Sequence, residues 1–113
     1  MPVSNASTEG TTDFVYNNVI LTVKSDTDIK TVEAHLKTLA RASIGEPGCR
    51  RFDVFHSETE PLVFMLIEEW QSQRALTLHR EADAFKTVYI PLVIPLVERT
   101  PHLCKILTTP WTS

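Results

Sequence analysis

The sequence predicts an α+β domain whose elements follow in the order β-α-β-β-α-β around one antiparallel sheet. Three observations carry this. A β-branched run, Val19-Ile-Leu-Thr-Val23, is followed by apolar residues at helical spacing. Two further strand-like runs, Cys49 to His56 and Leu62 to Trp70, are separated by the polar stretch Ser57 to Pro61, as in a hairpin. A second helical stripe then leads to a last strand-like run, Leu103-Cys-Lys-Ile-Leu107.

Each element has a local reason. Ser25-Asp-Thr-Asp28 offers side-chain oxygens to cap a helix. Ile29, Val32, Leu36, Leu39 and Ala40 give that helix one apolar face, with His35 on its polar side. It should run to about Ala42, where Gly45, Pro47 and Gly48 stop it. In the second strand Phe52 and Val54 share one face, and Arg51, Asp53 and Phe55 the other. Apolar residues occupy both parities of the third strand, so both its faces are expected to be covered. Ser72 can cap the second helix, along which Ala75, His79, Ala82, Phe85 and Tyr89 form one stripe. Pro91 should end or kink it, leaving a short apolar segment to about Val97. The order is the ferredoxin-like pattern. Helices on one face leave the other face of the sheet bare, and two copies set sheet to sheet would cover it. Pro110 and Trp111, near the end of the chain, are expected to pack on a partner.

Composition narrows the function. The chain has 113 residues, enough for one domain, read here as residues 14–113 behind a disordered polar arm at 1–13. Hydrophobic residues make up 42% and charged residues 22%, ordinary for a globular protein. A net charge of −3 argues against nucleic acid or an anionic membrane as partner, because both reward a basic face. Nothing at the N-terminus reads as a secretory signal, and Ile90 to Val97 is too short to span a bilayer, so a cytoplasmic location is the expectation. Asn5-Ala-Ser7 matches a glycosylation sequon by chance in such a setting. Cys49 and Cys104 are expected to be inert core thiols. The four histidines and two cysteines form no metal-ligand motif. With three glycines in all, there is no phosphate-cradling loop.

Several short motifs occur in a telling order: Glu46-Pro47-Gly48, then Phe52-Asp53-Val54, then Glu68-Glu69-Trp70, then His79 and Phe85-Lys86. In this order, from about Val19 to Leu107, the chain resembles the antibiotic biosynthesis monooxygenase (ABM) family of small dimeric α/β barrels. The resemblance implies a homodimer with a pocket between helices and sheet in each subunit. It also implies oxidation of an aromatic polyketide, phenol or quinol by molecular oxygen as co-substrate, with no bound cofactor. Anthrone-oxidising relatives keep the Trp found here as Trp70, but carry an Asn and a Tyr where this chain has Leu66 and Leu76. Haem-degrading relatives place an axial His where this chain has Tyr89, which disfavours haem. Ketone-isomerising relatives share the Phe-Asp-Val strand and a His at the place of His79.

His79 is the first candidate. It sits on an apolar stripe between small neighbours, and an imidazole can take a phenolic or enolic proton near neutral pH. Trp70 would be a stacking wall, with Phe52, Phe85, Tyr89, Leu66 and Leu76 lining the pocket. Arg51 and Asp53 share a strand face and can pair, or Arg51 can hold an acidic group of the substrate. Glu68 and Glu69 point to opposite faces, and Glu69 is placed with the binding residues. Three readings follow: a cofactor-independent monooxygenase, an isomerase, dehydratase or cyclase using the same pocket without O₂, and a non-catalytic dimer that binds a small ligand.

Overall fold

The computed structural model describes residues 14–108. The arm expected at residues 1–13 and the contact expected of Pro110 and Trp111 lie outside them.

Four strands form one antiparallel sheet: β1 (Val15–Val23), β2 (Cys49–His56), β3 (Val63–Trp70) and β4 (Val97–Cys104), in the order β2-β3-β1-β4. This is the ferredoxin-like arrangement. Ser25 caps a 3₁₀ turn at Asp26–Asp28, its side chain accepting from the Thr27 N–H. The turn runs into α1 (Ile29–Ser43), which buries Val32, Leu36, Leu39 and Ser43 against the sheet. Ser72 caps α2 (Gln73–His79). A wide π-helix then spans Phe85–Val93.

The inward side chains of the central strands make the core. Val19, Leu21 and Val23 of β1 and Phe64, Leu66 and Trp70 of β3 are each no more than 1% exposed. Val19 lies opposite Leu66, and Leu21 opposite Phe64. Burying each such side chain stabilises the fold by roughly 1.5–3 kcal/mol relative to leaving it in water. The alternate residues face the other way. Ile20, Met65 and Phe55 form a row across β1, β3 and β2 on that outer face, and all three are exposed.

Four expectations need correction. β1 begins four residues earlier than Val19, at Val15. The stripe from Ala75 to Tyr89 is not one helix. Tight bonds from the Glu81 N–H to the Leu78 carbonyl and from the Ala82 N–H to the His79 carbonyl close α2, and the chain restarts in the π-helix. Pro91 sits inside that helix because it has no N–H to leave unpaired, and the wider winding relieves the clash its ring makes in an α-helix. The last strand covers Val97–Cys104 rather than Leu103–Leu107. It lies at the sheet edge, where Pro101 is tolerated and apolar alternation is not required. That shift also exposes Cys104, which is therefore no core thiol. Cys49 is half-buried, and burial pushes its thiol up to about 11.

Candidate functional site

The site begins at a glycine. Gly48 has φ 82°, a left-handed conformation, and a Cβ added there would lie 2.5 Å from the Ala75 Cβ. The Gln71 N–H donates to the Gly48 carbonyl at 2.7 Å. The Glu46-Pro-Gly turn can therefore lie directly against the first turn of α2. One turn further along that helix is His79, whose Nδ1 is 2.7 Å from Oε1 of Glu46. With the Nδ1 proton donated to the carboxylate, Nε2 is left as the proton acceptor. The imidazole is only 4% exposed and is held by aromatic rings, with centroids of Trp70 at 4.6 Å, Phe85 at 5.2 Å and Phe52 at 5.6 Å.

A second polar cluster lies beside the first. Glu68 takes the inward parity of β3 and is 4% exposed. Its Oε1 accepts from Trp70 Nε1 at 3.0 Å and from Asn17 Nδ2 at 3.2 Å. Burial pushes the Glu68 carboxyl above the ordinary range, against the opposing pull of these two bonds and of the His79 and Arg99 charges. Tyr89 on the π-helix accepts a hydrogen bond from Arg99 Nε at 2.9 Å. Burial raises its phenol, and Arg99 pulls it back.

These side chains surround a cavity of about 10 Å³, the room of about one water, bounded by Asn17, Phe52, Glu68, His79, Phe85 and Tyr89 among others. Asn17, Arg80, Phe85, Tyr89 and Arg99 also line an adjoining groove of about 640 Å³. Ile90 and Ile94 form one wall of it, Pro101 and Leu103 the other. Its size falls within the usual range for a small-molecule site. The arrangement sets a proton acceptor and a buried carboxyl in a small cavity that shares five lining residues with a largely apolar groove.

The residues singled out in the sequence divide by sheet face. Phe52, Leu66, Leu76, His79, Phe85 and Tyr89 come together around the cavity. Trp70 is fully buried behind it, against His79, with its N–H committed to Glu68. Arg51 and Glu69 are not part of this cluster. They lie opposite each other on the outer face, where Arg51 pairs with Asp53 at 2.6 Å and Glu69 with Arg50 at 2.5 Å. The inward carboxylate is Glu68, because the pleat gives neighbouring residues opposite faces. Among the described residues, no group of three His, Cys, Asp or Glu is placed to hold a metal ion. No described helix is long and apolar enough to cross a membrane.

Sequence reasoning missed Asn17, Glu46 and Arg99 as site residues. Asn17 had a signal: counting back by twos from Val23 through Leu21 and Val19 reaches it. Glu46 was visible only as part of a turn. Arg99 sits on the misplaced strand, so nothing marked it.

The family model described as antibiotic biosynthesis monooxygenase matches residues 14–89. The chain belongs to the ABM family. Among solved structures, a conserved Bacteroides thetaiotaomicron protein of unknown function, described as a potential oxidoreductase, is 27% identical. Its TM-score is 0.78, and the match covers 84% of this chain and 99% of that one. A candidate ABM protein from Nitrosomonas europaea is 24% identical with a TM-score of 0.77, covering 84% and 91%. A further structure described as an antibiotic biosynthesis monooxygenase is 23% identical with a TM-score of 0.73, covering 82% and 99%. The last two share the fold. No functionally curated protein matches the sequence.

Proposed function

We propose that this ABM protein is a cofactor-independent monooxygenase acting on an aromatic polyketide or a phenolic or quinol intermediate of secondary metabolism. The observation that carries the reading is the Glu46–His79 pair, with His79 enclosed by aromatic rings and lining the small cavity that adjoins the groove. Glu46 fixes the ring and its tautomer. Nε2 then takes a proton from the substrate, and the apolar walls keep the resulting anion dry. For a CH₂ group activated by flanking aromatic rings, the balance is CH₂ + O₂ → C=O + H₂O. The substrate supplies every electron, so no flavin, metal or haem enters. Tyr89, with its hydroxyl engaged by Arg99, is a pocket wall in this reading and not a haem ligand.

One observation favours a second reading. His79 as acceptor and Glu68 as a buried carboxyl whose pKa is raised by burial line the same cavity. Such a pair could move a proton from one substrate carbon to another, as an isomerase, dehydratase or cyclase does. Incubation of metal- and flavin-free protein with anthrones and related phenols, in air and under argon, separates the two. A product gaining one oxygen and losing two hydrogens only in air supports the oxygenase. Conversion under argon as well supports the proton-moving enzyme.

We also propose a homodimer formed through the outer sheet face. The row Ile20, Met65 and Phe55 presents large apolar side chains to solvent, and a second copy would bury them.

A further inference from the structure

The groove has a charge signature that the proposed reaction does not use. Among the described residues there are four ion pairs: Lys37–Glu33, Arg50–Glu69, Arg51–Asp53 and His79–Glu46. Arg80 and Arg99, the two cations that line both the cavity and the groove, belong to none of them. This is notable in a chain of 14 acidic and 11 basic residues, where a random surface position sees more negative charge than positive. Arg99 spends Nε on the Tyr89 hydroxyl, which orients the guanidinium and leaves its terminal amino groups as a planar fork at the groove.

The inner end has the opposite need. Asn17 is 3% exposed and lines both spaces, yet its Oδ1 is buried without a hydrogen-bond partner. A buried acceptor without a partner is destabilising, so a hydroxyl donor placed there relieves the cost. Apolar side chains make up the rest of the walls, and Ile90 and Leu103 are respectively 49% and 66% exposed.

We propose that the ligand of this groove is a hydroxylated aromatic carboxylate, its carboxylate held by Arg80 and Arg99, its hydroxyl donating to Asn17 beside Glu68. This rests on the reading above only in taking cavity and groove as one ligand site. A carboxylate is planar and matches the guanidinium fork, an aromatic body covers Ile90 and Leu103, and a hydroxyl satisfies Asn17.

The test is equilibrium binding by titration calorimetry with three probes: 6-hydroxy-2-naphthoate, its methyl ester, and 2-naphthoate. The hydroxy acid should bind about tenfold tighter than the ester at low salt, with the advantage shrinking as salt is added. Arg80→Gln and Arg99→Gln should each bring acid and ester closer together while the ester still binds, which also reports that the variants are folded. 2-Naphthoate should bind more weakly than the hydroxy acid. Equal binding of acid and ester, an acid-to-ester ratio unmoved in both variants, equal binding of the two acids, or no binding of any probe would each overturn the proposal. The measurement needs neither oxygen nor turnover. An Arg-dependent preference for the acid, without oxidation of any phenol, would leave this inference standing and remove the oxygenase. Oxidation of neutral anthrones with no preference for acids would do the reverse.

Discussion

Glu68 and Glu69 are neighbours on β3 and chemically identical, yet they occupy different environments. Glu68 faces the helices, 4% exposed, with Trp70 and Asn17 donating to one oxygen. Glu69 faces outward and forms an ion pair with Arg50, itself 41% exposed. One position of shift along a strand separates a buried carboxyl, its pKa raised by burial, from an outward-facing carboxylate paired with Arg50. The two faces of the sheet differ in the same way. The inner face carries the closed cavity and its titratable groups, and the outer face carries exposed apolar side chains edged by paired charges. The proposed chemistry is assigned to the inner face because burial there removes water and strengthens every electrostatic interaction.

The strongest way to break the inner face is at its hinge. Gly48→Ala would place a methyl 2.5 Å from the Ala75 Cβ at a φ of 82°. The turn holding Glu46 would have to leave α2, and we expect a loss of about 3 kcal/mol or more in chemical denaturation. A variant as stable as the parent would mean that the turn is not held against the helix. Next in size is His79→Ala. Under the proposed function, turnover should fall at least about tenfold, or about 1.4 kcal/mol of transition-state stabilisation. Unchanged turnover would remove His79 from the mechanism. Glu46→Gln keeps the hydrogen-bond geometry and should cost less than His79→Ala.

Glu68→Gln sharpens the comparison through pH. The folded-state pKa of Glu68 is raised by burial, so the folded protein holds this proton to higher pH than the unfolded chain does. The resulting contribution to stability is fully present below the ordinary value of 4.5 and is lost as pH rises through the folded-state pKa. Above that range the wild type pays for an ionised buried carboxylate, whereas the amide carries no charge at any pH. Thermal melts from pH 4 upward should therefore fall less steeply for Glu68→Gln than for the parent. Parallel curves would place Glu68 in contact with water.

Much of this division was legible in the sequence, and the failures have physical causes. The alternation of β2 and the opposite parities of Glu68 and Glu69 on β3 were legible, because neighbouring residues of a strand point to opposite faces. The cap at Ser25 and the apolar stripe of α1 were equally visible. β4 was not. An edge strand reading Val97-Glu-Arg-Thr-Pro-His-Leu-Cys104 has only its first residue buried, so hydrophobicity pulled the expectation toward Leu103–Leu107. Losing β4 meant losing Arg99. The stripe from Ala75 to Tyr89 named the right inward residues on the wrong helix, since the tight turn at 80–82 and the π-winding return Phe85 and Tyr89 to the side that His79 faces. The Glu46–His79 bond spans 33 positions, and no local pattern encodes a contact of that range.

The outer face offers the gentler tests. If the row Ile20, Met65 and Phe55 is a dimer seam, Met65→Lys puts a charge at its centre and should halve the mass seen by light scattering, with the inner site unchanged. An unchanged mass would refute the seam. Glu69→Gln is the smallest change and the matched control for Glu68→Gln. It removes one partner of an exposed pair with Arg50, where such pairs contribute about 0–1 kcal/mol. Stability should move by less than about 0.5 kcal/mol in chemical denaturation. A large effect would show that Glu69 is buried in the working assembly. Because Glu69 lies on the outer face, that burial would have to come from a second copy set against the sheet, and Met65→Lys should then abolish it.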